Sequence, residues 1–152
     1  MSRKPIVGVI GAADATDDLM NTAEELGRSI AERGWTLLSG GLSGVMEAAS
    51  KGASEVGGTV IGILPTSTTA DANAYVSIPI ATNMGHARNV IIAHTADVLV
   101  ACGGSYGTLS EIALANKLGK KVFGLKSWDV DKVISKEYVE EVMGELDAIF
   151  AK

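Results

Sequence analysis

Two glycine-rich turns are the segments of this chain whose composition points most directly to chemistry. They read Gly40-Gly41-Leu42-Ser43-Gly44 and Gly103-Gly104-Ser105-Tyr106-Gly107-Thr108, and each lies between an apolar run and a helical pattern. A helix N-terminus offers unpaired backbone N–H groups and about half a positive charge, and glycine lets an anion approach them. The turns predict a phosphate or carboxylate site, although glycines that only make tight turns would give the same pattern.

Two charged residues near these turns have open interpretations. Arg88 adjoins the apolar segment 90–93, where a guanidinium either snorkels to the surface or clamps a phosphate or carboxylate. Glu111 follows Thr108 by three residues, which is the spacing of a helix capping box. His86 is interpreted as a polar residue at a helix start.

Composition excludes several classes of protein. The chain has 152 residues, a net charge of -5 and only 13 Lys and Arg, which argues against binding of a nucleic-acid polymer. No apolar run is long enough for a membrane helix, and no signal peptide is evident. Two histidines and the single Cys102 cannot form an ordinary zinc site, so no metal site is expected. The lone cysteine and the missing leader predict a cytoplasmic protein with one domain, residues 1–152.

Short apolar runs alternate with helical patterns along the whole chain. We predict an α/β, single-domain, Rossmann-like, doubly wound and mainly parallel sheet with helices on both faces. Predicted strands cover residues 6–10, 35–38, 59–64, 75–80, 98–102 and 121–125, the last of them followed by a helix capped by Ser135. Both glycine turns then lie at the carboxyl ends of strands, where such sheets bind ligands.

The standard nucleotide fingerprints are absent. No GxxxxGK[ST] occurs, which disfavours a Walker-type ATPase. The first strand ends without GxGxxG, and the second strand ends at Ser39 with no acid placed for a ribose, so a classical NAD enzyme is disfavoured. The loop after the first strand, starting at Gly11 and Ala12, contributes plainer backbone donors to the same edge.

Three segments together resemble the LOG superfamily. Residues 39–48 resemble its GGxxGxM element, residues 104–111 its PGGxGTxxE signature, and residues 83–89 the segment that carries a functional arginine. The superfamily includes the "lonely guy" phosphoribohydrolases, proteins once labelled possible lysine decarboxylases, and molybdenum cofactor carrier proteins. Gly103 replaces the signature's proline, Ser105 its second glycine, and Asn89 the lysine of the hydrolases' Arg-Lys pair, so the chain looks more like the carrier branch.

The resemblance implies a site and two alternative functions. As a carrier or nucleotide-binding protein, the chain would bind a phosphorylated nucleotide or the molybdenum cofactor, and no other cofactor is required. As an enzyme, it would hydrolyse the N-glycosidic bond of a nucleoside 5′-monophosphate, with Arg88 and Glu111 as catalytic residues. The resemblance favours the clamp for Arg88. The implied cofactor-binding residues are Gly11, Ala12, Gly40, Gly41, Gly44, Met84, Arg88, Gly103, Gly104, Ser105, Gly107 and Thr108.

The predicted helix 85–95 carries apolar residues around its whole circumference, with Val90, Ile91 and Ile92 pointing in different directions. A helix that is apolar all round is buried on both sides. This pattern predicts a subunit interface, and the family resemblance implies a homodimer or a higher homo-oligomer.

Overall fold

The computed structural model describes residues 3–151, so Met1, Ser2 and Lys152 of the predicted domain lie outside the described residues. Within these described residues, seven strands form one sheet in the order β4-β3-β2-β1-β5-β6-β7, and every neighbouring pair is parallel. The predicted α/β fold with a parallel sheet is therefore confirmed. The strands are β1 Ile6–Gly11, β2 Thr36–Ser39, β3 Val60–Leu64, β4 Ile78–Ala81, β5 Val98–Cys102, β6 Lys121–Leu125 and β7 Val133–Lys136.

Helices cover both faces of the sheet. One apolar cluster joins the sheet to α1, α2 and α5, and a second joins its other face to α3 and α4. The helices are α1 Asp17–Glu32, α2 Val45–Glu55, α3 Asn89–Thr95, α4 Tyr106–Lys117 and α5 Val139–Phe150, with short 3-10 turns at Thr69–Asp71 and Gly85–Arg88. Within residues 3–151, no helix is both long and apolar enough to cross a membrane.

The C-terminal part of the sheet differs from the sequence prediction. β6 is not the last strand, because the β-branched pair Val133-Ile134 forms β7, and Ser135 lies opposite Gly124 in that strand. Ser135 therefore does not cap α5. The backbone N–H of Tyr138 instead donates to the Glu141 carboxylate at 3.0 Å, which satisfies a donor at the helix start.

Two further boundaries also differ. The strand predicted at 75–80 begins at Ile78, because Asn73 Oδ1 accepts the Tyr75 N–H at 3.0 Å and holds the preceding residues in a turn. The helix predicted at 85–95 is a 3-10 turn that ends at Arg88 and continues as α3.

The strand order reverses direction beside β1. From β1 the chain builds outward through β2, β3 and β4, and it then returns to add β5 on the opposite side. Gly11 at the end of β1 lies opposite Cys102 at the end of β5. The loops that follow these two strands diverge to different faces of the sheet, which leaves a crevice at their carboxyl ends.

Candidate functional site

A cavity of about 210 Å³ lies in the crevice beyond β1 and β5. It brings together part of the predicted site: Gly11, Ala12, Arg88, Ser105, Gly107, Thr108 and Glu111. Ala13, Leu42, Met46, His86 and Asn89 also line it. Gly40, Gly41, Gly44, Met84, Gly103 and Gly104 lie outside its wall, so a direct contact of these six with a ligand stays a prediction.

Arg88 is the central cation of the cavity. It ends the 3-10 turn, and only 9% of the residue is exposed. One of its terminal nitrogens donates to the Asn89 side-chain oxygen, whereas the buried Nε has no hydrogen-bond partner among residues 3–151. Burial lowers the pKa of Arg88, whereas the nearby Glu111 carboxylate acts to raise it. The guanidinium stays charged at any ordinary pH, so Arg88 gives the cavity a cationic wall.

Gly40 explains how the guanidinium reaches this position. A Cβ atom on Gly40 would lie 2.6 Å from a terminal nitrogen of Arg88. Any side chain at this residue would displace the guanidinium, so the glycine serves the site through Arg88. This role differs from the close approach of ligand to backbone that the turn predicts.

Asn89 connects Arg88 to the first turn of α4. Its side-chain nitrogen lies 3.5 Å from Ser110 Oγ, and that hydroxyl donates to the Gly107 carbonyl at 2.7 Å. Asn89 is itself buried. Asn89, which stands where the hydrolases that the sequence resembles have lysine, thus fixes the position of Arg88 relative to the start of α4.

The N-terminus of α4 forms the opposite wall of the cavity. The first bond of the helix runs from the Leu109 N–H to the Ser105 carbonyl at 3.0 Å, and no side chain caps this end. The N–H groups of residues 106–108 are left without intrahelical acceptors, which is the arrangement that binds anions. Because Thr108 lies inside the helix, the capping-box interpretation of Thr108 and Glu111 is wrong.

The first glycine turn is used differently. The Val45 N–H at the start of α2 donates to the Ala12 carbonyl at 2.9 Å, so the protein's own backbone takes a donor there. Ser43 Oγ donates to the Ala13 carbonyl at 3.1 Å, and a Cβ on Gly44 would collide with the Ala12 carbonyl. This turn therefore lets the loop after β1 pass over α2. Leu42 of this turn and Met46 of α2 give the cavity an apolar wall, and no sequence pattern singled out Leu42.

Gly103 and Gly104, which also lie outside the cavity wall, allow close packing behind it. A Cβ on Gly103 would collide with Leu19, and one on Gly104 would collide with the Thr108 side chain. Cys102 is completely buried, which raises the pKa of its thiol to about 12 and matches its interpretation as a small apolar residue.

Glu111 shares the cavity with Arg88. The residue is 7% exposed, and burial raises its pKa to about 7 although the nearby guanidinium acts to lower it. Desolvation therefore outweighs the attraction between the two charges. Near neutral pH, the cavity holds a permanent cation beside a carboxyl group that is about half protonated.

This environment makes stability depend on pH in a defined direction. Folded Glu111 holds its proton up to about pH 7 instead of the ordinary 4.5, so its stabilising contribution is complete below pH 4.5 and is lost as the pH rises to about 7. Glutamine does not titrate. As the pH rises through this range, the free energy of unfolding of Glu111→Gln should therefore increase relative to that of the wild type, by up to about 3 kcal/mol. Urea denaturation at pH 5 and pH 8 measures the difference, with the exposed Glu140→Gln as control. A gain that is equal at both pH values would contradict the burial of a titrating carboxyl.

Comparison with known proteins agrees with the resemblance seen in the sequence. The model of the SLOG cluster4 family matches residues 4–149. An uncharacterized protein of Archaeoglobus fulgidus is 52% identical over 120 residues, which cover 79% of each chain. The molybdenum cofactor binding protein of Rippkaea orientalis is 40% identical, with a TM-score of 0.93 over 98% of this chain and 99% of that one. The molybdenum cofactor carrier protein of Chlamydomonas reinhardtii is 41% identical, with a TM-score of 0.90 over 99% and 100%. The chain thus belongs to the SLOG cluster4 family and to the carrier-like branch of the LOG superfamily, as its motifs predict.

Proposed function

We propose that this protein binds a phosphorylated cofactor of the molybdenum-cofactor type and carries it without transforming it. The observation that carries the proposal is Arg88, a buried guanidinium that lines the same cavity as the uncapped N-terminus of α4. A buried cation is costly, and an anion in the cavity would pair with it. The carrier proteins of similar structure support this choice of ligand.

The residues present fit such a group. A phosphate between Arg88 and the α4 N-terminus would pair with the Arg88 guanidinium and accept hydrogen bonds from the backbone N–H groups of residues 106–108. The Gly11-Ala12 backbone and the side chains of Leu42 and Met46 would contact the carbon atoms next to the phosphate. The bound cofactor supplies metal and dithiolene chemistry to a recipient enzyme, while this chain contributes binding and exclusion of water.

The proposal predicts which arginine retains the cofactor. Protein expressed in a host that makes molybdenum cofactor should co-purify with molybdenum and a phosphorylated pterin, measured by elemental analysis and mass spectrometry. Arg88→Ala should lose at least about tenfold of both, because the charge-assisted contact is removed. Arg28→Ala is the matched control, since Arg28 is exposed and pairs with Glu55 on the helical face away from the cavity. Undiminished loading of Arg88→Ala, or a wild type free of both molybdenum and phosphorylated ligand, would refute the proposal.

A specific observation also favours hydrolysis of nucleoside 5′-monophosphates as a second candidate. Glu111 lines the cavity that holds the proposed phosphate site, so its carboxylate would be near the ribose of a bound nucleotide. In this reaction the carboxylate would take a proton from water, the water oxygen would bond to C1′ of the ribose, and the base would leave with the electrons of the N-glycosidic bond and take the proton that Glu111 had received.

A base-release assay separates the two functions. The carrier proposal predicts no free adenine after long incubation of the wild type with AMP, as detected by chromatography. Adenine from the wild type that disappears in Glu111→Gln would establish the hydrolase instead. The substitution keeps the size of the side chain but removes its ability to accept the water proton. Adenine released equally by both proteins would leave Glu111 without a catalytic role.

We also propose that two copies associate through the face covered by α3 and α4. The prediction that helix 85–95 offers its whole circumference is wrong for Ile92, which is completely buried in the protein's own core. Ile78 and Ile80 lie opposite Ile61 and Ile63 in the sheet, so they point to the same face as that core, yet they remain exposed. Val90 of α3 is also exposed, and we propose that a second copy covers these three apolar side chains.

Light scattering tests this association. The wild type should have the mass of a dimer or a larger oligomer. Val90→Glu should shift the mass to that of one chain, because the new charge would be desolvated in the interface. Val56→Glu is the control, because Val56 is equally exposed at the end of α2 on the other face. A wild type that is monomeric at high protein concentration would contradict the interface.

A further inference from the structure

A shallow groove of about 370 Å³ adjoins the cavity on the far side of the loop after β5. Its walls are Gly104, Lys126, Ser127, Trp128 and Asp129. Gly104 lines the groove and Ser105 lines the cavity, so the two depressions are one residue apart along the chain. The loop after β6, residues 126–129, supplies the rest of the groove and takes no part in the cavity.

Two hydrogen bonds fix the loop after β6 to the loop after β5. Ser127 Oγ donates to the Gly103 carbonyl, and the indole N–H of Trp128 donates to the Ser105 carbonyl at 3.1 Å. Trp128 also packs against the second core cluster, and its ring centroid lies 5.8 Å from that of Tyr106. The indole is therefore a preorganised aromatic wall, anchored to the residue that precedes α4. Tyr106 beside it is 80% exposed, far more than an aromatic ring held only for packing.

The groove carries one side chain of each charge. Lys126 and Asp129 are both exposed, and neither forms an ion pair with any residue between 3 and 151. Lys126 has a φ of 53°, a left-handed conformation that is uncommon for a residue other than glycine. An aromatic wall with a free carboxylate and a free ammonium offers stacking, an acceptor and a donor in one place.

The size of the cavity requires part of the ligand to lie outside it. At about 210 Å³ the cavity is smaller than the roughly 300 Å³ at which pockets begin to enclose a drug-sized ligand. A phosphate and the adjoining carbon atoms fill such a space. A ring system attached to them must leave the cavity, and the groove beside Ser105 is the adjoining surface with an aromatic wall.

We propose that this groove binds the ring of the ligand, and that it selects a fused nitrogen heterocycle with the 2-amino-4-oxo edge shared by pterins and guanine. This inference rests on the proposed function, because the phosphate in the cavity sets where the ring emerges. The ring stacks on Trp128. Asp129 accepts the two adjacent N–H groups of that edge, and Lys126 donates to the ring carbonyl. Adenine lacks the paired N–H donors and the carbonyl, so the groove discriminates against it.

Tryptophan fluorescence tests this assignment directly. In a Trp35→Phe variant, Trp128 is the only tryptophan, and Phe retains the aromatic packing of Trp35 against Phe150. The probes are GMP, AMP and ribose 5-phosphate, which share the phosphate and differ in the ring. We expect GMP to quench the Trp128 emission saturably and to bind about tenfold more tightly than the other two. Asp129→Asn should abolish that preference and leave the affinity for ribose 5-phosphate unchanged. Asp131→Asn, two residues further on and outside the groove, should behave like the parent protein.

The outcomes separate this inference from the proposal on which it rests. Equal affinity for GMP and ribose 5-phosphate, without quenching, overturns the ring subsite while the phosphate site in the cavity stands. A GMP preference that persists in Asp129→Asn also overturns the assignment, because the carboxylate then does not read the ring. Failure of all three probes to bind overturns the phosphate site, and the ring subsite falls with it.

Discussion

The burial of a guanidinium at the crossover between β1 and β5 is the interaction on which the site depends. Removing a cation from water is costly unless acceptors replace the lost hydration. Asn89 provides one acceptor, and Glu111 attracts the charge without satisfying the Nε–H. The fold therefore holds Arg88 in an incompletely satisfied state. In the proposed complex, an anion between Arg88 and the α4 N-terminus would pair with this buried charge.

The glycines make this burial possible in two distinct ways. Those of the first turn remove side chains where pieces of the protein meet. Gly40 lies against the guanidinium, and Gly44 lies under the carbonyls of the loop after β1. In the second turn, Gly107 lies in the cavity wall with nothing within 4 Å of an added Cβ, and the turn leads into an uncapped helix start. The two glycine turns thus have different structural roles, because the loop after β1 covers the start of α2 and leaves the start of α4 open.

The difference between the two glycine turns could not be predicted from the sequence. Continuous apolar runs such as Val98–Cys102 predict buried parallel strands, but they do not predict the strand order. Arg88 stands out as a charge beside an apolar segment, whereas Glu111 was singled out by its spacing from Thr108 and by the family resemblance. The path of the β1 loop over α2 is a tertiary contact between residues about 30 apart, and no local pattern encodes it. The same holds for Leu42, whose apolar side chain is indistinguishable in sequence from that of a core residue. β7 escaped prediction because its four residues include only two that favour strands strongly.

The electrostatics of the cavity favour retention of a ligand over its hydrolysis. Glu111 already has a pKa of about 7 when Arg88 is its only charged neighbour in the cavity. A phosphate that pairs with Arg88 would neutralise the charge that stabilises the carboxylate and would add negative charge beside it, and both effects raise the pKa further. Glu111 would then be protonated at neutral pH whenever the anion is bound. A neutral carboxyl group donates a hydrogen bond to the ligand, but it cannot take a proton from water. In the proposed complex, the contacts that hold the anion would thus prevent Glu111 from acting as a base, which supports the carrier proposal over hydrolysis.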